Sequence, residues 1–200
     1  YTARVQLHEL YAHHLEHAHA DAIEQITPQL AFHYDRAQSY DKAAYYLARS
    51  GGQAAAGYAN EEALSYFNRA LILLPAESDP RKRFDIIWKR ERIYDLLGKR
   101  AEQRQDLTSL TRLAGQFEDA PTLRAQIFIR RAQLEIDMGD FASAKAHAQA
   151  AIREANADLQ SNGAPPDLHV DALLLEVRAM FLAGQAIQAK PQLDDALALA

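Results

Sequence analysis

Histidine is the first residue type in this chain whose clustering could do chemistry. His8, His13, His14, His17 and His19 crowd the start of the sequence. On a helix His13 and His17 share a face, at a spacing that suits zinc or nickel. His8-Glu9 opens the helical zinc-protease pattern, but Ala12 stands where its second histidine belongs. His13 comes one residue late, which turns it about 100° round a helix. Two helical ligands without a third rarely make a site. His13 and His17 are therefore expected to lie on a polar helix face; a metal- or small-ligand-binding helical domain built on them is the alternative. No metal and no cofactor are expected.

A second cluster is basic. Arg81, Lys82, Arg83, Lys89, Arg90, Arg92, Lys99, Arg100 and Arg104 fall close together, interrupted by Asp85, Glu91, Asp95 and Glu102. Such a run could meet nucleic acid or an acidic partner. The expectation is instead a solvated face with ordinary ion pairs, because the chain carries a net charge of −5 and nonspecific nucleic-acid binders are basic overall. Neither familiar glycine-rich phosphate loop occurs, nor a serine nucleophile elbow. Glu61-Glu62 and Asp194-Asp195 are adjacent pairs, so each pair points to different helix faces. No catalytic residue is expected in this segment.

Composition bounds what can position these groups. With 200 residues, 48% apolar and 24% charged side chains, the chain is rich enough in apolar residues to fold. No apolar run approaches the roughly 18 residues of a membrane span, and no secretory leader is visible. The absence of cysteine excludes disulfides, thiol catalysis and cysteine-built zinc sites. It fits a reducing, cytoplasmic compartment. The chain begins with Tyr1 rather than methionine, which is read as a piece of a longer multidomain protein.

Glycine and proline alternate as punctuation. Turn signals recur at Gly57-Tyr58-Ala59-Asn60, Leu97-Gly98-Lys99, Met138-Gly139-Asp140 and Ala183-Gly184-Gln185. Glycine suits the left-handed residue that ends a helix, and Asn60 and Asp140 can cap the next one. Pro75, Pro80, Pro121, Pro165 and Pro166 mark the opposite helix ends. Apolar spacing predicts helices over 2–19, from Thr27-Pro28 (a cap and first helical position) to about 38, and over 41–57, 60–74, 81–97 and 100–115. It predicts four more over 121–138, 141–157, 167–183 and 186–199. Pro191 either kinks the last helix or delays its start. Asn156–Asp167 reads as a long loop. Ser50-Gly51-Gly52, inside a helix, would let a neighbouring helix approach closely. No sustained alternation of strand type occurs, so no sheet is expected. A hairpin of about 40 residues sits at the edge of what a single core can stabilise without a staple, so the pairs should stack into one domain over residues 1–200.

Within this pattern, Ala63, Phe67, Ala70 and Pro75 resemble the second helix of the tetratricopeptide repeat (TPR), and Gly139-Asp140-Phe141-Ala142-Ser143-Ala144 matches its inter-helix turn. Gln103 replaces the expected alanine, Ala186 replaces the turn aromatic, and the period of about 40 exceeds the usual 34 or so. The resemblance implies an all-α, TPR-like α-solenoid: a right-handed superhelical stack of about five antiparallel helix pairs. Aligning the pairs on Ala63, Gln103, Ala144 and Ala189 places Tyr45, Trp88, Arg92, Gln126, Ile129, Gln133, Leu174, Arg178 and Phe181 on the concave face as candidate partner-binding residues. Aromatic and arginine side chains are favoured interface anchors; the alternative is that Trp88 and Phe181 complete the core.

A narrower resemblance covers roughly residues 28–75. Pro28-Gln29-Leu30-Ala31-Phe32-His33-Tyr34, Tyr40-Asp41-Lys42-Ala43-Ala44-Tyr45-Tyr46-Leu47 and Tyr58-Ala59-Asn60-Glu61-Glu62-Ala63-Leu64 are similar to the helical region that follows the nucleotide-binding module in multidomain signalling ATPases. These include transcription regulators and fusions to adenylate cyclase or protein kinase domains. Val5-Gln6-Leu7-His8-Glu9-Leu10 resembles the helix that leaves their winged-helix segment. The resemblance implies a non-catalytic scaffolding module that binds a protein, a peptide or neighbouring domains of its own chain, with no membrane contact.

Overall fold

The computed structural model describes residues 2–75, 78–118, 120–162 and 167–199. Among them are ten α-helices, one 3-10 segment and no strand. No helix among the described residues is long and apolar enough to cross a membrane. The chain divides into two compact units, residues 1–106 and 107–200.

The first unit holds α1 (Thr2–Ala18), the 3-10 segment Ala20–Ile26, α2 (Thr27–Arg36), α3 (Tyr40–Ala56), α4 (Asn60–Leu73), α5 (Pro80–Leu96) and the start of α6 (Arg100–Ala114). Its core joins Leu15, Leu30, Tyr34, Leu47, Leu64, Phe67 and Ile86. Close approach depends on the small residues. A Cβ built on Gly51 of α3 would lie 2.7 Å from the Phe67 ring of α4, and Ala63, Phe67 and Ala70 are fully buried. That is the packing the alanine–aromatic–alanine series calls for.

The second unit holds the rest of α6, then α7 (Pro121–Asp137), α8 (Phe141–Asn162), α9 (Asp167–Leu182) and α10 (Lys190–Leu199). Ala144, Ala148, Ala151 and Ala155 form a buried small-residue stripe along α8, where it packs on both α7 and α9.

Helix ends follow the punctuation with four exceptions. Asp140 caps α8 by accepting from the Ser143 amide at 3.0 Å, but Asn60 is already helical and makes no cap. Gly98, Gly139 and Gly184 adopt left-handed φ, whereas at the 57–60 turn Tyr58, not Gly57, takes that role at φ 61°. Each turn closes with the same backbone bond, such as Ala59 N to Ala54 O at 2.8 Å and Asp140 N to Glu135 O at 2.9 Å. Thr27 does not cap α2; its hydroxyl is buried and bonds Gln53 and Ser50 of α3 at 3.0 Å each. The expected loop at 156–167 is shorter, since α8 runs on to Asn162; Gly163 to Pro166 lie outside the described residues. Pro191 delays its helix, and α10 begins at Lys190.

Candidate functional site

Two helices that each begin a hairpin, α3 and α5, leave a groove between them. Its cavity of about 370 Å³ is lined by Ala44, Ala48, Leu74 and Ile86 at apolar positions and by Asp41, Lys42, Arg49, Lys82, Asp85 and Lys89 at charged ones. Tyr45 completes the lining and is 55% exposed. The Tyr45 ring is held in place rather than left free. Arg49 donates to its hydroxyl at 3.0 Å and lies over its ring at 5.5 Å, while Tyr46 meets it edge-on at 5.1 Å. Arg49 is itself tied to Glu24.

Behind the groove, Glu16 anchors a polar knot. Tyr46 donates to it at 2.5 Å and Lys42 at 3.2 Å, and Lys42 also reaches Tyr34 at 2.9 Å. Burial pushes the Glu16 carboxyl up, but hydrogen bonds from Tyr34, Tyr46 and Lys42 outweigh it and leave the group below its ordinary value. Tyr34 and Tyr46 stack at 5.7 Å, and both phenols are pushed upward, by burial first and then by Glu16.

The other residues predicted for the concave face are placed as follows. Trp88 is half-buried and stacked on Phe84 at 5.9 Å; it does not line the groove, and Arg92 is exposed. In the second unit Gln126, Ile129 and Gln133 of α7 are half-buried, while Leu174, Arg178 and Phe181 of α9 are exposed. Arg178 donates to Gln133 at 3.3 Å, which brings those two predicted residues together.

The basic run is largely consumed by pairing. Arg83 donates to the Leu71 and Leu74 carbonyls at the end of α4. Lys82 meets Asp41 at 3.0 Å, Lys99 meets Glu61 at 2.9 Å and Arg100 meets Asp95 at 2.6 Å. Arg90 binds Asp106 through two nitrogens, at 2.9 and 2.5 Å. Burial raises the Asp106 carboxyl even with Arg90 pulling it down. Glu91, expected on the solvated face, is fully buried. Lys89, and Lys82 together with its partner Asp41, line the groove, a role that the spacing of the two lysines from Ile86 along α5 is compatible with but does not specify.

His13 lies 3.4 Å from the Glu16 carboxylate and edge-on to Tyr34, and His17 is exposed. Among the described residues no group of three or more histidine, cysteine, aspartate or glutamate side chains could hold a metal.

No family model and no curated protein matches the chain. Solved structures do. BtubC (BKLC) from P. vanneervenii is similar with a TM-score of 0.68 at 15% identity, covering 99% of this chain and 89% of that one. The nearly identical TPR-like repeats of a kinesin-light-chain-like protein from Podosopora anserina give a TM-score of 0.70 at 12% identity, covering 100% of this chain and 96% of that one. A point variant of that same protein also gives 0.70 at 12% identity, covering 98% and 92%. At such identities the likeness concerns the fold: the chain is an all-α, TPR-like helical-repeat protein.

Proposed function

We propose that this chain is a non-catalytic interaction module that binds an extended, acidic stretch of polypeptide in the α3/α5 groove. The observation that carries this is the exposed Tyr45, braced by Arg49 above apolar Ala44, Ala48 and Ile86 and ringed by four cations and two acids. An extended segment can bury an apolar side chain on that floor while its acids meet Lys89 and compete with Asp41 for Lys82. The partner is another protein or a neighbouring domain of the same parent chain. We read that parent as a cytoplasmic signalling or transcription-regulating ATPase, in which this repeat segment scaffolds and relays. The support is the sequence resemblance over residues 28–75.

Amine crosslinking with mass spectrometry on the intact parent protein tests the module, because three lysines rim the groove. Crosslinks from Lys42, Lys82 or Lys89 to a second polypeptide segment, lost in Tyr45→Ala, are expected. Saturable turnover of a small molecule by the isolated chain overturns the reading, and so does crosslinking indifferent to Tyr45.

A further inference from the structure

A second cavity, of about 330 Å³, shares no lining residue with the groove. Arg4 and His8 of α1, Asp35 and Arg36 at the end of α2, Gln38 in the turn, Tyr40 at the start of α3 and Arg69 of α4 line it. Three guanidiniums therefore face one carboxylate in a chain that is acidic overall. Arg69 is the one engaged, donating to Asp35 at 2.7 Å. Arg4 and Arg36 make no ion pair with any described residue, although Arg36 is braced over the Phe32 ring at 5.4 Å.

His8 is oriented as well. Its Nδ1 lies 2.9 Å from Nδ1 of His33, so one ring must donate and the other accept. Burial and the neighbouring His8 hold His33 below its ordinary value, which favours a neutral His33. A neutral His33 can accept from His8, leaving Nε2 as the remaining hydrogen-bonding atom of His8.

We propose that this cavity binds a phosphate dianion, either free or carried as a small monoester. Planar guanidiniums bind phosphate oxygens in pairs of parallel hydrogen bonds, and unpaired ones lose no internal partner in doing so. Three of them around one carboxylate suit a doubly charged anion better than a singly charged carboxylate. The volume lies near the lower end of small-molecule pockets, about 300–1,000 Å³, and Tyr40 offers a ring and a hydroxyl to the organic part of an ester. Asp35 acts as an internal competitor by occupying Arg69.

Calorimetric titration of the whole chain with inorganic phosphate, phenyl phosphate and adenosine monophosphate, each at low ionic strength, tests this. Saturable one-site binding is expected, weakened at least about tenfold in the Arg4→Ala/Arg36→Ala double variant. Both side chains are exposed, so the thermal midpoint should hold. Asp35→Asn should tighten binding about threefold by releasing Arg69. Tighter binding of either ester than of inorganic phosphate assigns the site to a monoester, and equal binding assigns it to the free anion. The proposal is overturned if none of the three binds up to about 10 mM. It is also overturned if the double variant binds as well as the parent, or if Asp35→Asn fails to tighten binding.

Discussion

Gln103 donates to Glu91 at 2.8 Å, and both side chains are buried. At the same two positions the neighbouring hairpins hold Gly51 with Ala63 and Ala132 with Ala144, all of them buried, so a polar pair here replaces two small residues. Arg100 extends the pair by donating to Gln103 at 2.8 Å and to Asp95 at 2.6 Å. Restoring the alanine of the repeat should therefore harm the protein. Gln103→Ala is expected to cost about 1–3 kcal/mol, because it removes a donor from a buried carboxyl. Adding Glu91→Ala should cost less than the sum of the two single changes. Chemical denaturation of the four variants in the cycle measures this, and strict additivity would contradict it.

Adjacent glycines in α3 should behave oppositely. Gly51→Ala drives a methyl into the buried Phe67 ring and should destabilise by about 1–3 kcal/mol. A Cβ on Gly52 meets nothing within 4 Å, so Gly52→Ala should stabilise the helix by about 0.5–1 kcal/mol. Urea midpoints moving in the same direction for both would refute the close approach of α3 and α4.

Tyr58 is 88% exposed and holds a left-handed φ of 61°. A side chain there costs roughly 1–2 kcal/mol, which glycine avoids. The greater freedom of glycine in the unfolded chain offsets about 0.4–1 kcal/mol of that. Tyr58→Gly should thus raise stability slightly, read as a higher thermal midpoint. Gly98→Ala, at a φ of 65° with open space around it, should lower the midpoint.

Acid should unfasten α1 from α3. The Glu16 carboxyl sits below its ordinary 4.5 in the fold, so its contribution is complete above that value and fades as pH falls through the depressed one. Glu16→Gln should be less stable than the parent by about 1 kcal/mol at neutral pH. The gap should close as pH drops below 4.5. Denaturation midpoints of both proteins across that range check it. A gap independent of pH would mean that Glu16 acts only by packing.

The sequence by itself determined what is local. Helix periodicity, the glycine turns at 98, 139 and 184, the Asp140 cap and the alanine–aromatic–alanine series depend on residues within one or two helical turns of each other. They were legible because backbone hydrogen bonding and side-chain spacing act at that range. Tyr45 could be placed in the same way, by its register along one helix. Tertiary structure decided whatever depends on which helices meet. Tyr58 takes the left-handed turn position because the hairpin must close there, even with a glycine one residue away. Glu91 can be buried because Gln103, on the next helix, supplies a donor. The basic run is dismantled because acids from other helices reach it. Arg4, Arg36 and Arg69 converge only once α1, α2 and α4 pack, and no spacing along the chain encodes that meeting. Charge pairing and cavities are through-space properties, so the helices could be read in order while the groove and the second cavity could not.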